Sequence, residues 1–167
     1  FFFKQKTAYE IPKRDWSSDV CSSDLKYDAV PRYYSAVRAL IAEYQMLPER
    51  FWFTGPVPDE ELAAYYRNAH AYVSLSEHEG FCVPLVEAMG MDVPVLAYAS
   101  SAVPETLDGA GVSFAPKDLE QAAEWLGALV YDEPLRAKVL AGQRRRAGAF
   151  GLDRVERELK TILESVA

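Results

Sequence analysis

A chain of 167 residues with a formal net charge of −7 is long enough for a domain with its own core. Its acidity argues against nonspecific nucleic-acid binding, which needs a basic face. No run approaches the ~20 apolar residues that span a bilayer, so the expectation is a cytoplasmic location, with peripheral attachment at the inner membrane face as the alternative.

Residues 1–25 show no helical or strand periodicity. They resemble a conceptual translation of a short-read sequencing adapter. Lys4–Glu10 can be encoded by AAG CAG AAG ACG GCA TAC GAG, and Trp16–Asp24 by TGG AGT TCA GAC GTG TGC TCT TCC GAT, the two ends of such an adapter in order. Ile11–Arg14 fall where its variable index would lie. The segment has no apolar signal core and is expected to be non-native and disordered. On that reading the native sequence continues upstream of Lys26, and 26–167 is an incomplete domain. Lys4, Lys6, Lys13 and Arg14 offset Glu10, Asp15, Asp19 and Asp24, so the net charge belongs to 26–167. With Cys21 set aside, Cys82 stands alone, and a reducing compartment is the default.

From Pro31 to Met46, Tyr33, Val37, Leu40, Ile41 and Tyr44 line one helical face. Phe51–Phe53 reads as a short strand closed by Gly55-Pro56. A helix with acids in its first turn runs from Pro58 to about Asn68. Strand 71–75 leads into a loop and then a helix opened by Pro84. Pro94–Tyr98 is an apolar strand, followed by a helical turn around Glu105. Gly109-Ala-Gly111 breaks the chain before strand Val112–Phe114. Asp118 is the expected N-cap of a helix to Tyr131. Two more helices follow, from Pro134 to Phe150 and from Asp153 to Ser165. Strands alternating with helices predict an α/β domain: a Rossmann-like parallel sheet with helices on both faces. Ligands bind such sheets at the strands' carboxyl ends. Leu75–Pro84 and Tyr98–Glu105 should therefore share one rim.

The chemistry concentrates between Glu79 and Glu87. One carboxylate lies in the loop, the other a turn into the helix, with a small-residue turn and a proline between them. A helix start exposes backbone N–H groups and the positive end of a dipole, which suits phosphate. Carboxylates beside it accept hydrogen bonds from sugar or ribose hydroxyls.

Ser76-Glu-His-Glu-Gly-Phe-Cys-Val-Pro-Leu-Val-Glu-Ala-Met89, then Val93-Pro-Val-Leu96, Ala102-Val-Pro-Glu-Thr106 and Gly109-Ala-Gly111, resembles the family 4 glycosyltransferases. These are retaining enzymes of the GT-B architecture, and the resemblance covers residues 32–167 in their carboxyl-terminal, donor-binding half. It implies that Glu79 is the catalytic acid, meeting sugar hydroxyls near the reacting carbon. Gly80, Phe81 and Cys82 would bring backbone amides to the sugar and diphosphate. Val83, Pro84 and Leu85 would form the helix opening that faces the phosphates, and Glu87 would take the ribose hydroxyls. Glu105 matches a recurrent acid on the adjacent loop, and His78 is a further candidate. The family often has glycine at the position of Cys82.

The resemblance further implies a nucleotide-diphosphate sugar as substrate, no cofactor and no metal, and a glycan, lipid or small-molecule acceptor. The family's Gly-Arg and Lys that grip the diphosphate have no match between Lys26 and Pro48, and the amino-terminal domain is unmatched. The chain alone is therefore expected to be inactive. The alternatives are a stand-alone nucleotide-sugar-binding or interaction module, and an epimerase or phosphorylase of the same architecture.

Other features read more plainly. Cys82 is expected to pack rather than react. His70 closes a helix, and Arg144-Arg145-Arg146 forms a solvated face. Trp125, Leu126 and Leu129 are expected in the core, and Leu159, Ile162 and Leu163 as a partly exposed stripe.

Overall fold

A computed structural model describes residues 2–3, 19–21, 31–46, 51–54 and 56–166. The chain divides into two compact units, Phe1–Val73 and Ser74–Ala167.

In the first unit, strands β1 (Phe2–Phe3) and β2 (Asp19–Cys21) precede helix α1 (Pro31–Glu43). Strand β3 (Phe51–Phe53), helix α2 (Asp59–Asn68) and strand β4 (Ala71–Ser74) follow. β2 runs parallel to β3, with Val20 opposite Trp52. β1 runs antiparallel to both β2 and β4. Five residues of the 1–25 segment are paired strand, the rest of it lies outside the described residues, and two of the strand pairings are antiparallel. Strands of two and three residues are too short to show a period of two, so their pairing leaves no pattern to read. Tyr34 packs edge-on against Phe53 at 5.1 Å. Tyr66 and Tyr72, both buried, lie 6.1 Å apart.

The second unit contains helix α3 (Val83–Gly90), strand β5 (Val95–Tyr98), helix α4 (Val103–Leu107) and strand β6 (Val112–Phe114). Helices α5 (Leu119–Tyr131) and α6 (Glu133–Ala147) follow. A 3-10 turn, Gly148–Phe150, leads into helix α7 (Leu152–Val166). β5 and β6 are parallel, with Leu96 opposite Val112 and Tyr98 opposite Phe114. Val95, Leu96 and Ala97 are all buried, the continuous apolar run of a strand covered on both faces. Leu85 and Met89 of α3 join Val103, Leu107 and Leu129 in the core, each worth about 1.5–3 kcal/mol of apolar burial.

Local chemistry explains the helix boundaries. The Asp118 carboxylate accepts from the N–H groups of Glu120 and Gln121, both at 3.0 Å, and caps α5 as expected. Asp132 does the same for α6 through Leu135 at 2.9 Å. Gly111 has a φ of +83°, and a Cβ there would lie 3.2 Å from the Val95 carbonyl oxygen. Only glycine lets this turn pass so close to β5. Trp125 is 40% exposed, contrary to its expected place in the core. The buried stripe of α5 is Ala122, Leu129 and Val130, and the indole stands outside it.

The join between α6 and β5 is polar and fully buried. Gln143 has no exposed surface. Its side-chain oxygen accepts from the Val95 N–H at 2.9 Å, and its nitrogen donates to the Val93 carbonyl at 2.7 Å. One amide therefore satisfies two backbone groups at the entrance of β5.

Candidate functional site

The loop after β4 enters α3 through Cys82, whose φ of 62° and ψ of 62° are left-handed. A residue with a Cβ holds that conformation at a cost of roughly 1–2 kcal/mol, which gives a physical reason for glycine at such a position. Burial keeps Cys82 there, since its side chain is only 5% exposed. Burial also pushes its thiol up to about 11, and the neighbouring Glu79 charge adds to the effect. The thiolate is scarce at neutral pH, so Cys82 packs rather than attacks.

The left-handed turn decides what the helix opening presents. Pro84 has no N–H, and the Leu85 N–H donates to the Cys82 carbonyl at 3.0 Å. The Leu85 side chain is fully buried. Leu85 thus contributes its side chain to the core, while its backbone stays at the helix opening assigned from sequence. Among the described residues, the N–H groups of Gly80, Phe81, Cys82 and Val83 donate to no protein acceptor. A run of amides without internal partners beside a left-handed residue supplies the backbone donors from which anion-binding turns are built.

A second loop holds the first. The hydroxyls of Ser100 and Ser101, just after β5, donate to the Glu77 carbonyl, the latter at 3.2 Å. The Lys117 ammonium reaches the Glu77 carboxylate at 2.7 Å and lies 5.2 Å from the centre of the Tyr98 ring. Its hydrogen bond and its charge hold the Glu77 carboxyl below the usual range. From α4, Thr106 Oγ1 donates to the Phe81 carbonyl at 2.6 Å. The predicted shared rim is real, and these hydrogen bonds are what join its two loops.

Glu79 precedes these amides in the chain and Glu87 follows them one turn into α3, and both are half-buried. Gly80, Phe81 and Val83 are exposed, and the Phe81 ring stands edge-on to Phe150 at 5.5 Å. His78 is exposed. Glu105 is also exposed, and its carbonyl accepts from Arg146 at 2.8 Å. The arginine run is not simply a solvated face. Arg144 pairs with Asp92 at 2.6 Å, and Arg146 caps the end of α4. Thr106, Lys117, Gln143 and Arg146 were missed as site supports, since each acts on a residue far away in sequence. Among the described residues no three His, Cys, Asp or Glu side chains gather as a metal cluster, and no helix is long and apolar enough to cross a membrane.

Comparison with known proteins supplies independent findings. The family profile of glycosyl transferases group 1 matches residues 34–146. The O-antigen chain mannosyltransferase B of Escherichia coli is 33% identical over 98 residues, which is 59% of this chain and 26% of that protein. Among solved structures, the C-terminal domain of the group 1 family protein LpcC from Francisella tularensis aligns with a TM-score of 0.62 at 26% identity, covering 72% of this chain and 63% of that one. The Anabaena protein HepE, solved with UDP and glucose, aligns with a TM-score of 0.75 at 18% identity, covering 89% and 40%. The likeness to HepE speaks for the fold alone. The chain spans about a quarter of the length of the curated mannosyltransferase it matches.

Proposed function

The chain belongs to the glycosyl transferases group 1, and from that premise we propose that it forms the donor-binding half of a retaining glycosyltransferase. The reaction moves a sugar from a nucleotide-diphosphate sugar to an acceptor hydroxyl. One observation carries the reading: at the opening of α3, four consecutive amides without protein acceptors separate two half-buried glutamates along the chain.

Each part has a chemical role in this reading. The amides of Gly80–Val83 and the dipole of α3 receive the diphosphate. As the sugar–oxygen bond breaks, negative charge grows on the departing phosphate oxygen, where preorganised donors stabilise it most. Glu87 accepts the ribose hydroxyls and Glu79 the sugar hydroxyls near the reacting carbon, while His78 and Glu105 border the same rim. The amides and the dipole of α3 offset part of the diphosphate charge, and this reading calls for no divalent metal. The acceptor is a glycan, a lipid or a small molecule.

Titration calorimetry of the chain against UDP-, GDP- and ADP-sugars tests the reading. Binding of at least one is expected, weakened about tenfold or more in Glu87→Ala, as for a lost charged hydrogen bond. No heat with any of them would overturn the donor site. A second reading, a binding module without catalysis, draws support from the exposed apolar stripe of α7. It would be favoured if nucleotide sugars bind but are neither transferred nor hydrolysed in any form of the protein.

A further inference from the structure

Arg146 is tied into a closed circuit that ends on the donor loop. Its Nε donates to the Thr106 carbonyl at 3.0 Å and its Nη2 to the Glu105 carbonyl at 2.8 Å. Its Nη1 lies 3.4 Å from the Asp108 carboxylate. These three contacts bind the last turn of α4, whose backbone carbonyls lack intrahelical donors. Thr106 is 2% exposed, and its hydroxyl carries the contact onward to the Phe81 carbonyl at 2.6 Å. The Phe81 ring meets Phe150 edge-on, with an interplanar angle of 82°. Phe150 in turn lies under the Arg146 guanidinium, 4.7 Å from ring centroid to Cζ.

Arg146, Thr106, Phe81 and Phe150 thus form a ring of four contacts, and the circuit has a chemical consequence. The Phe81 carbonyl and the Cys82 N–H belong to one planar peptide. Fixing the carbonyl fixes the direction in which that amide, within the Gly80–Val83 run of free donors, points. The left-handed backbone at Cys82 is a conformation that relaxes unless its surroundings over-determine it. We infer that Arg146 and Thr106 are positioning residues for phosphate recognition. They hold the Phe81–Cys82 peptide so that its N–H faces the donor's diphosphate, without touching that group themselves. This inference rests on the donor-site reading above.

The test compares Arg146→Lys and Thr106→Val with Arg144→Lys, which alters only the surface pair with Asp92. Lysine keeps the charge but cannot make the forked contact to two carbonyls. Valine keeps the volume and removes only the hydroxyl. Affinities for UDP, GDP and ADP are measured by calorimetry below every variant's melting temperature, and thermal stability is recorded alongside. The expected result is that Arg146→Lys and Thr106→Val each weaken diphosphate binding about tenfold, with Arg144→Lys matching the parent chain.

Two results overturn the inference while leaving the donor site standing. In one, the two variants lose stability but bind as the parent does, which marks the circuit as scaffolding only. In the other, all three variants lose affinity equally, which marks general loosening. If the unaltered chain binds none of the three nucleotides, the donor-site reading itself falls and takes this inference with it.

Discussion

The rim around Cys82 and the terminal helix α7 are built on opposite principles. The rim is held by bonds between residues far apart in sequence: Thr106 to Phe81, Ser101 to Glu77 and Arg146 to Glu105. The side-chain bonds of α7 are local, with Arg154 to Glu158 and Lys160 to Glu156 each one turn away. Pairs of that kind contribute only about 0.3–0.5 kcal/mol apiece. Leu152, Val155, Leu159, Ile162 and Leu163 all stand exposed. Folding has fixed the rim in three dimensions, whereas α7 is specified mainly along its own axis. The site therefore belongs to the part of the molecule whose geometry is over-determined.

The contrast can be broken most severely at Gln143. Gln143→Leu keeps the volume but strips two buried backbone groups of their partner, and should cost about 2–4 kcal/mol, read as a lower urea midpoint. Next is Cys82→Val, which places a β-branched side chain at a φ of 62° and should destabilise by about 2 kcal/mol. Cys82→Gly should stay within about 1 kcal/mol of the parent chain, because relief of backbone strain offsets the lost packing.

The same thiol predicts a pH effect. Its ordinary value of 9.0 is raised to about 11 in the folded chain, so the unfolded chain releases this proton first. Its contribution to stability is constant below pH 9 and declines as pH climbs toward about 11. Comparing denaturation of the parent and Cys82→Ser across that window isolates it, and equal slopes would refute it. The smallest effect is expected on α7. Leu159→Asp, at a side chain 53% exposed, should shift stability by no more than about 0.5 kcal/mol, and a larger loss would show that α7 is better anchored than its contacts suggest.

Local signals proved readable, and long-range ones did not. Asp118 announces its helix because an N-cap bonds only two and three residues ahead. β5 announces itself as an unbroken apolar run, and the exposed stripe of α7 as a spacing. The order of strands and helices was enough to place two loops on one rim. Arg146 looked like one charge in a run of three, since nothing near it reveals a partner forty residues back. Gln143 sits in the polar stretch of α6, where an amide that completes a distant strand looks like any solvated glutamine. Trp125 misled for the converse reason, because a large apolar residue beside a buried stripe need not be inside it. Cys82 was legible as a packing residue and as a departure from glycine; its backbone angles explain why glycine is favoured there.

The amide of Gln143 also works as a ruler. It grips the start of β5 through Val95 and the preceding Val93, while the opposite end of that strand delivers Ser100 and Ser101 to the Glu77 carbonyl. A strand displaced by one residue moves its end by about 3.3 Å and exchanges its two faces. Such a slip would carry both serines away from the acid loop. The measurement is taken at one end of the strand, and the rim at its other end inherits its accuracy.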